Sequence, residues 1–234
     1  MRVVADAAVD AVARRALELI EDGARVGLGS GRTASAFVAL LGTRVRAGLR
    51  VTGVPTSEVT ARLARSVGIP LADLDERELD VTVDGADEVA PDLDLVKGWG
   101  GALVRERIVA TSSRRQVIVV GADKLVDELG ARGRIPVEVV PPARPLVVRR
   151  LGALGLRATV RADVDGKRPF RSDNGNLIVD CAPEAPLRDH AAALSLETAV
   201  RSIPGVVDTG LFLGTAERVL VGDADGRVDT LRPR

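Results

Sequence analysis

Residues 81–110 read VTVDGADEVAPDLDLVKGWGGALVRERIVA. The run VTV before Asp84 reads as the end of a buried strand, short, β-branched and bounded by turn residues. Residues 102–110 read as a helix that opens on Gly100 and Gly101. Four ionisable side chains, Asp84, Asp87, Lys97 and Glu106, sit among the intervening glycines. Charges grouped at a strand end and a helix start fit an open α/β sheet, in which ligands sit beyond the carboxyl ends of the strands.

Toward the N-terminus the same alternation recurs. Residues 5–22 have helical spacing, ARVGLGSG is a strand feeding a Gly-rich turn, and TASAFVALLG is a helix with Thr33 as its expected cap. LRVTGVPTS reads as a strand and EVTARLARSVG as a helix stopped by Gly68. IPLADLDE is a further strand candidate, and residues 116–121 form the strand after the 102–113 helix. Strands alternating with helices predict parallel βαβ units and a doubly wound, Rossmann-like sheet. After Arg132 the order becomes βαββαβ, which predicts a smaller ferredoxin-like α+β domain. The tail AERVLVGDADGRVDTL reads as a hairpin turning at Asp225–Gly226. The expected division is 1–131 plus 214–234 for the catalytic domain and 132–213 for the smaller one.

Composition narrows the function. The 234 residues are 46% hydrophobic and 28% charged, ordinary values for a globular chain. Aromatic content is only 2%, which argues against base stacking on aromatic platforms. Formal net charge is zero and no long basic run occurs, so no nucleic-acid surface is implied. No apolar run approaches the roughly 20 residues of a membrane span. Asp6 and Asp10 interrupt the N-terminal apolar stretch, unlike a signal peptide. Cys181 is the only cysteine, which fits a reducing compartment and predicts a cytoplasmic chain.

Lysine usage singles out particular residues. Of 33 Lys+Arg, only Lys97, Lys124 and Lys167 are lysines. A lysine retained in so arginine-rich a chain points to a chemical need for a compact ammonium on a flexible stem. Gly27, Gly29 and Gly31 frame Ser30, Arg32 and Thr33 between a strand and a helix, which suits a phosphate held by backbone N–H groups and a helix N-terminus. The loop is neither a Walker loop nor a GxGxxG fingerprint, since Arg32 takes the last glycine position. No acid occurs between Gly23 and Ser57 to hold a ribose. A small phosphorylated metabolite is therefore preferred over a nucleotide.

Asp84 and Asp87 bracket Gly85 and Ala86, as in a solvated Asp-Gly turn. With Glu88 they offer an alternative metal site, ranked low because Lys97 would repel a cation. Lys97 and Glu106 make a polar catalytic pocket the better reading, with Glu106 as a general base near a helix start. His190, the only histidine, is expected at the surface of a second-domain helix, so no Ser-His-Asp or Cys-His system can be assembled. Cys181 is expected in a buried strand. Trp99 reads equally as a lid or as an exposed loop aromatic.

DGADE followed by KGWGGALVRE resembles the central signature of type A ribose-5-phosphate isomerases. GLGSGRTASAF, PTSEVTARLARSVGIPL, IPVEVVPPA, SDNGNLIVD and IPGVVDTGLF are similar to further landmarks of that family, in family order, across nearly the whole chain. The resemblance implies interconversion of D-ribose 5-phosphate and D-ribulose 5-phosphate through a cis-enediolate, in the non-oxidative pentose phosphate pathway. It implies Glu106 as catalytic base, Lys97 as oxyanion stabiliser, and Asp84 and Asp87 as orienting groups. It implies substrate contacts at Ser30, Gly31, Arg32, Thr33, Gly85, Ala86, Gly98, Trp99, Gly100 and Lys124. It also implies no metal or organic cofactor and a homodimer or homotetramer. The chain departs from the family pattern at Arg32, where serine is common, and at Trp99, where glycine is common. Gly121 replaces an aspartate of a DxxK motif, and the N-terminal helix lacks a lysine. The competing readings are a sugar-phosphate sensor without catalysis, which would not need Glu106, and an amino-sugar phosphate deaminase or coenzyme A transferase.

Overall fold

The parallel strands expected from the βαβ alternation are present. A computed structural model describes residues 2–233, with side chains from residue 7 onward. The chain divides into two compact units, one of residues 1–86, 105–125 and 215–234, the other of residues 87–104 and 126–214. The second unit thus takes residues 87–104, 126–131 and 214, which the expected division gives to the first.

In the first unit, β1 (Ala24–Leu28), β2 (Val51–Pro55), β3 (Val81–Asp84), β6 (Gln116–Gly121), β12 (Arg218–Gly222) and β13 (Val228–Leu231) form one sheet in the order β13-β12-β6-β3-β1-β2. All neighbours run parallel except β13, which returns antiparallel on β12 as the expected C-terminal hairpin. Helices α1 (Arg2–Leu17) and α2 (Arg32–Arg46) cover one face, where Val12, Ala16, Phe37 and Leu41 pack on Val26, Val83, Val117 and Val119. Each fully buried Val or Leu there stabilises by roughly 1.5–3 kcal/mol. On the other face Val109 of α4 (Leu103–Thr111) packs with Val54 and Leu79.

Two local expectations fail. IPLADLDE forms no strand, only a single bridge from Leu71 to Gly53: Pro70 has no N–H to donate, and the pairing ends where the Ala72 N–H reaches Gly53 O at 3.0 Å. Thr33 does not cap α2. The N-cap is Gly31 at φ 91 and ψ 177, with no side-chain hydrogen bond, and Thr33 lies inside the first turn. By contrast Ser57 does cap α3 (Glu58–Ser66), accepting the Thr60 N–H at 3.1 Å.

In the second unit, β7 (Ile135–Val139), α5 (Arg144–Ala153), β8 (Leu156–Val160), β9 (Leu177–Pro183), α6 (His190–Arg201) and β10 (Val206–Thr209) follow the predicted βαββαβ order. The antiparallel sheet runs β10-β7-β9-β8, the ferredoxin-like arrangement. Ile135, Val137, Val139, Val179 and Cys181 pack on Val147 and Leu151 of α5 and Val200 of α6. The opposite face carries Glu138 and Asp180. A three-stranded sheet of β4 (Glu88–Val89), β5 (Leu95–Val96) and β11 (Leu211–Phe212) completes this unit. Its two-residue strands are too short for a periodicity signal. Among the described residues no helix is long and apolar enough to cross a membrane.

Candidate active site

The glycine loop of the first unit is shaped by contact with Asp84. The Ser30 and Gly85 N–H groups donate to Asp84 Oδ1 at 2.9 and 2.8 Å. A Cβ on Gly29 would fall 2.2 Å from Asp84 Oδ1 and 2.4 Å from its Cα, so only glycine permits this approach. Asp84 itself is fully buried at the carboxyl end of β3. Its orientation is fixed by backbone donors.

Ser30 Oγ turns into a cluster of hydroxyls that sequence reasoning did not single out. It lies 2.8 Å from Thr56 Oγ1, 2.9 Å from Ser57 Oγ and 3.3 Å from Thr60 Oγ1. Thr56 and Thr60 donate to the carbonyls of Leu28 and Gly29, at 3.1 and 3.0 Å. A hydroxyl has one proton: Ser30 donates its own to Ser57 Oγ, and Ser57 in turn donates to Thr60 Oγ1 at 3.0 Å. The signal was present in TSEVT, where hydroxyls follow a strand and open a helix. Arg32, by contrast, is exposed at the first residue of α2, next to N–H groups that have no intrahelical acceptor.

Glu106 is 5% exposed in the first turn of α4. Its neighbour Arg105 is engaged elsewhere, donating to Glu58 at 2.9 Å. Lys124 ends the 3₁₀ turn Ala122–Lys124, half-buried, with Nζ 3.7 Å from Asp123 Oδ2. Asp84, Gly85, Ala86, Glu106 and Lys124 belong to the first unit, Asp87 and residues 97–100 to the second.

In the second unit, Asp87 and Lys97 flank the β4–β5 hairpin at its open end, where the Asp87 N–H donates to the Val96 carbonyl at 2.8 Å. Lys97 is 2% exposed. Its N–H donates to Gly210 O at 2.8 Å, and its ammonium lies 5.5 Å from the Phe212 ring centroid. Gly98 and Gly101 have φ of 97 and 84, and Gly101 N–H closes the loop on Gly98 O at 2.9 Å. The Trp99 N–H donates to Asp87 Oδ2 at 2.9 Å. Trp99 is half-buried rather than an exposed loop aromatic. Its Nε1 donates to Arg134 O at 2.9 Å, and the Arg134 guanidinium lies 5.4 Å from its ring.

Glu88 does not serve the metal alternative. Its buried carboxylate accepts the N–H groups of Gly130 and Arg132 at 2.6 and 2.9 Å, so it clips a loop. Burial pushes this carboxyl above its usual range, although those N–H groups pull it back. His190 is half-exposed as expected, with Nδ1 2.6 Å from the buried Asp94 Oδ2, whose hydrogen bond raises the imidazole pKa. With Asp92 these are the one trio among the described residues whose potential ligand atoms lie within 4.8 Å of one another. Asp94 is already engaged there by His190 and by the Gly214 N–H at 2.8 Å. Cys181 is buried, and burial pushes its thiol up to about 12.

A family model described as Ribose 5-phosphate isomerase A (phosphoriboisomerase A) matches residues 52–226. A relative from Gloeobacter violaceus named ribose-5-phosphate isomerase A is 49% identical over 223 residues, 94% of each chain. One of the same name from Thermomicrobium roseum is 51% identical over 221 residues, 94% of this chain and 91% of its own. The solved ribose 5-phosphate isomerase A of Methanocaldococcus jannaschii is similar at a TM-score of 0.90 and 41% identity, covering 97% of this chain and 98% of that one. A D-ribose-5-phosphate isomerase solved in complex with phospho-erythronic acid gives 0.92 and 37%, covering 97% and 99%. The chain belongs to the ribose-5-phosphate isomerase A family.

Proposed function

We propose that this chain interconverts D-ribose 5-phosphate and D-ribulose 5-phosphate. The observation that carries the reading is the complete set Asp84, Asp87, Lys97 and Glu106 in a chain 49% identical to a relative of that name. The reaction moves one proton from C2 to C1 and a second from the C2 hydroxyl to the C1 oxygen, while an aldehyde becomes a ketone. Oxidation at one carbon balances reduction at the next, so no external oxidant or redox cofactor is required. Glu106 takes the C2 proton and returns it to C1 of a cis-enediolate, as a carboxylate base does in triosephosphate isomerase. Lys97 stabilises the oxyanion that develops at the carbonyl oxygen, a contribution often dominant in such reactions. Asp84 and Asp87, each already oriented by backbone N–H donors, position sugar hydroxyls and assist ring opening.

Arg32, the N–H groups of Gly31–Thr33 and Lys124 hold the phosphate, with Ser30 shaping the loop from behind. The phospho-erythronic acid bound by the related isomerase supports a sugar-phosphate ligand, not a particular set of residues. It joins a phosphate to a planar carboxylate, which carries charge much as an enediolate does. The same reading gives a cytoplasmic homodimer or homotetramer, which sedimentation would test. A coupled assay of ribulose 5-phosphate formation tests the activity. Turnover that disappears in Glu106→Gln supports the reading, and its absence from the folded wild-type chain would leave the sensor alternative.

A further inference from the structure

The loop that carries Lys97 is held from below by a buried arginine to which the mechanism gives no role. Arg161, just past β8, is 9% exposed. Its Nε donates to Asp180 Oδ2 at 2.9 Å, and Nη2 completes a two-point pair on Oδ1. Nη1 points the other way, to the carbonyls of Gly98 at 3.3 Å and Trp99 at 2.9 Å. Arg134 also lies on Asp180, with Nε 3.2 Å from Oδ1, and its carbonyl accepts the Trp99 indole N–H. Phe170 lies 5.6 Å from the Arg161 guanidinium and fills the space that a Cβ on Gly101 would need.

We infer that Arg161 is a positioning residue: braced by Asp180, its guanidinium sets the backbone of residues 97–99 and thereby places Lys97 and orients Asp87. The geometry fixes the chain on both sides of the lysine. Its own N–H is on Gly210, and the next two carbonyls are on Arg161. With those carbonyls turned to the guanidinium, the Trp99 N–H faces Asp87. Gly98, at φ 97, permits the reversal. A planar fork of five donors serves an acid and two carbonyls at once, which an ammonium cannot. The brace matters because a misplacement of about 1 Å at a reacting group can cost about 100-fold in rate.

The inference rests on the proposed role of Lys97. Trp99 separates the two, because it is the only tryptophan in a chain without tyrosine and reports on the loop without turnover. Steady-state kinetics, thermal melting, Trp emission and acrylamide quenching would be measured for wild type, Arg161→Gln, Arg161→Lys, Asp180→Asn and Lys97→Ala. In a cooperatively melting Arg161→Gln, kcat falls about 100-fold. KM changes far less, since the phosphate groups are untouched. Emission shifts red and quenching rises. Arg161→Lys recovers little kcat, because charge returns without the fork. Near-wild-type kcat in folded Arg161→Gln overturns the inference. So does lost kcat with unchanged Trp99 emission and quenching, since the loop has then not moved. Should Arg161→Gln fail to fold, Asp180→Asn decides by the same two readouts, and wild-type values for both overturn it. Full turnover in Lys97→Ala would remove the role given to Lys97, while the fluorescence arm would still decide whether Arg161 holds the loop.

Discussion

The glycine loop of the first unit and the 97–101 loop of the second are both glycine-rich, yet they are held by different forces. The first is a strand-to-helix turn whose shape comes from close backbone approach and short hydroxyls. Gly29 lies against Asp84, and Ser30 lies among Thr56, Ser57 and Thr60. The second is held by charge from far along the chain. Arg161 reaches two of its carbonyls across a sequence separation of more than 60 residues, and Arg134 covers its tryptophan. A phosphate needs many fixed N–H dipoles, which a tight turn supplies by itself. A single ammonium that must meet a developing oxyanion needs its backbone fixed from outside.

If the second loop serves chemistry and the first serves binding, substitutions should separate kcat from KM. Glu106→Gln should lower kcat on the order of 100- to 10,000-fold, since an amide cannot accept the proton. Lys97→Arg should cost roughly 100- to 1,000-fold, because the buried 2%-exposed site has no room for a planar fork. Steady-state kinetics on both variants would break the comparison if kcat held while KM rose.

The packing of the first loop predicts a stability effect. Gly29→Ala should destabilise the chain by about 1–3 kcal/mol, because the new methyl meets the Asp84 backbone. Thermal melting would register this as a drop of roughly 2–4 °C per kcal/mol for a chain of this size. An unchanged midpoint would show that the loop is not shaped by this contact.

Arg32→Ser should raise KM for ribose 5-phosphate about two- to fivefold with little change in kcat, the scale of an exposed ion pair. The penalty should shrink as salt rises. A constant KM at low ionic strength would leave the loop N–H groups and Lys124 as the phosphate site.

Acid should loosen the second loop by a route the first lacks. Burial raises the Asp180 carboxyl, but the guanidiniums of Arg161 and Arg134 outweigh it and hold the pKa below the usual 3.8. Because the folded value is depressed, the stabilisation is complete above 3.8 and is lost as pH falls through the lower folded value. Trp99 emission should therefore hold at pH 5 and shift red only below the ordinary carboxylate range. A shift centred above that range would mean that Asp180 is not the brace.

The smallest effect should come from Gly100→Ala. A Cβ there meets nothing within 4 Å, and its φ is not positive, unlike those of Gly98 and Gly101. Stability should stay within about 0.5 kcal/mol. A large loss on melting would mean that the loop is packed more tightly than its guanidinium brace requires.

The alternation of apolar runs with glycine turns was enough to read the parallel sheet, because strand and helix periods survive in any packing context. The boundaries of β6 were read to the residue, since the four-residue apolar run Val117–Val120 closes on Gly121. IPLADLDE was misread because an alternating pattern does not guarantee pairing where Pro70 has no N–H to donate to the ladder. Thr33 was misread as a cap because a glycine at positive φ made the turn two residues earlier. Trp99 had two open readings because its partner, Arg134, is set by the second sheet rather than by neighbours in sequence.

The sequence by itself determined the two fold patterns and the family, and it singled out Asp84, Asp87, Lys97 and Glu106 as the candidate set, because periodicity and motif spacing are local properties of the chain. Only the tertiary structure decided that Glu88 clips a loop, that Ser30 turns into a hydroxyl cluster, and that Arg161 and Asp180 brace the backbone beside Lys97. Those assignments depend on which long side chain reaches which carbonyl, and an arginine among so many others carries no mark of its partner until the sheet has folded.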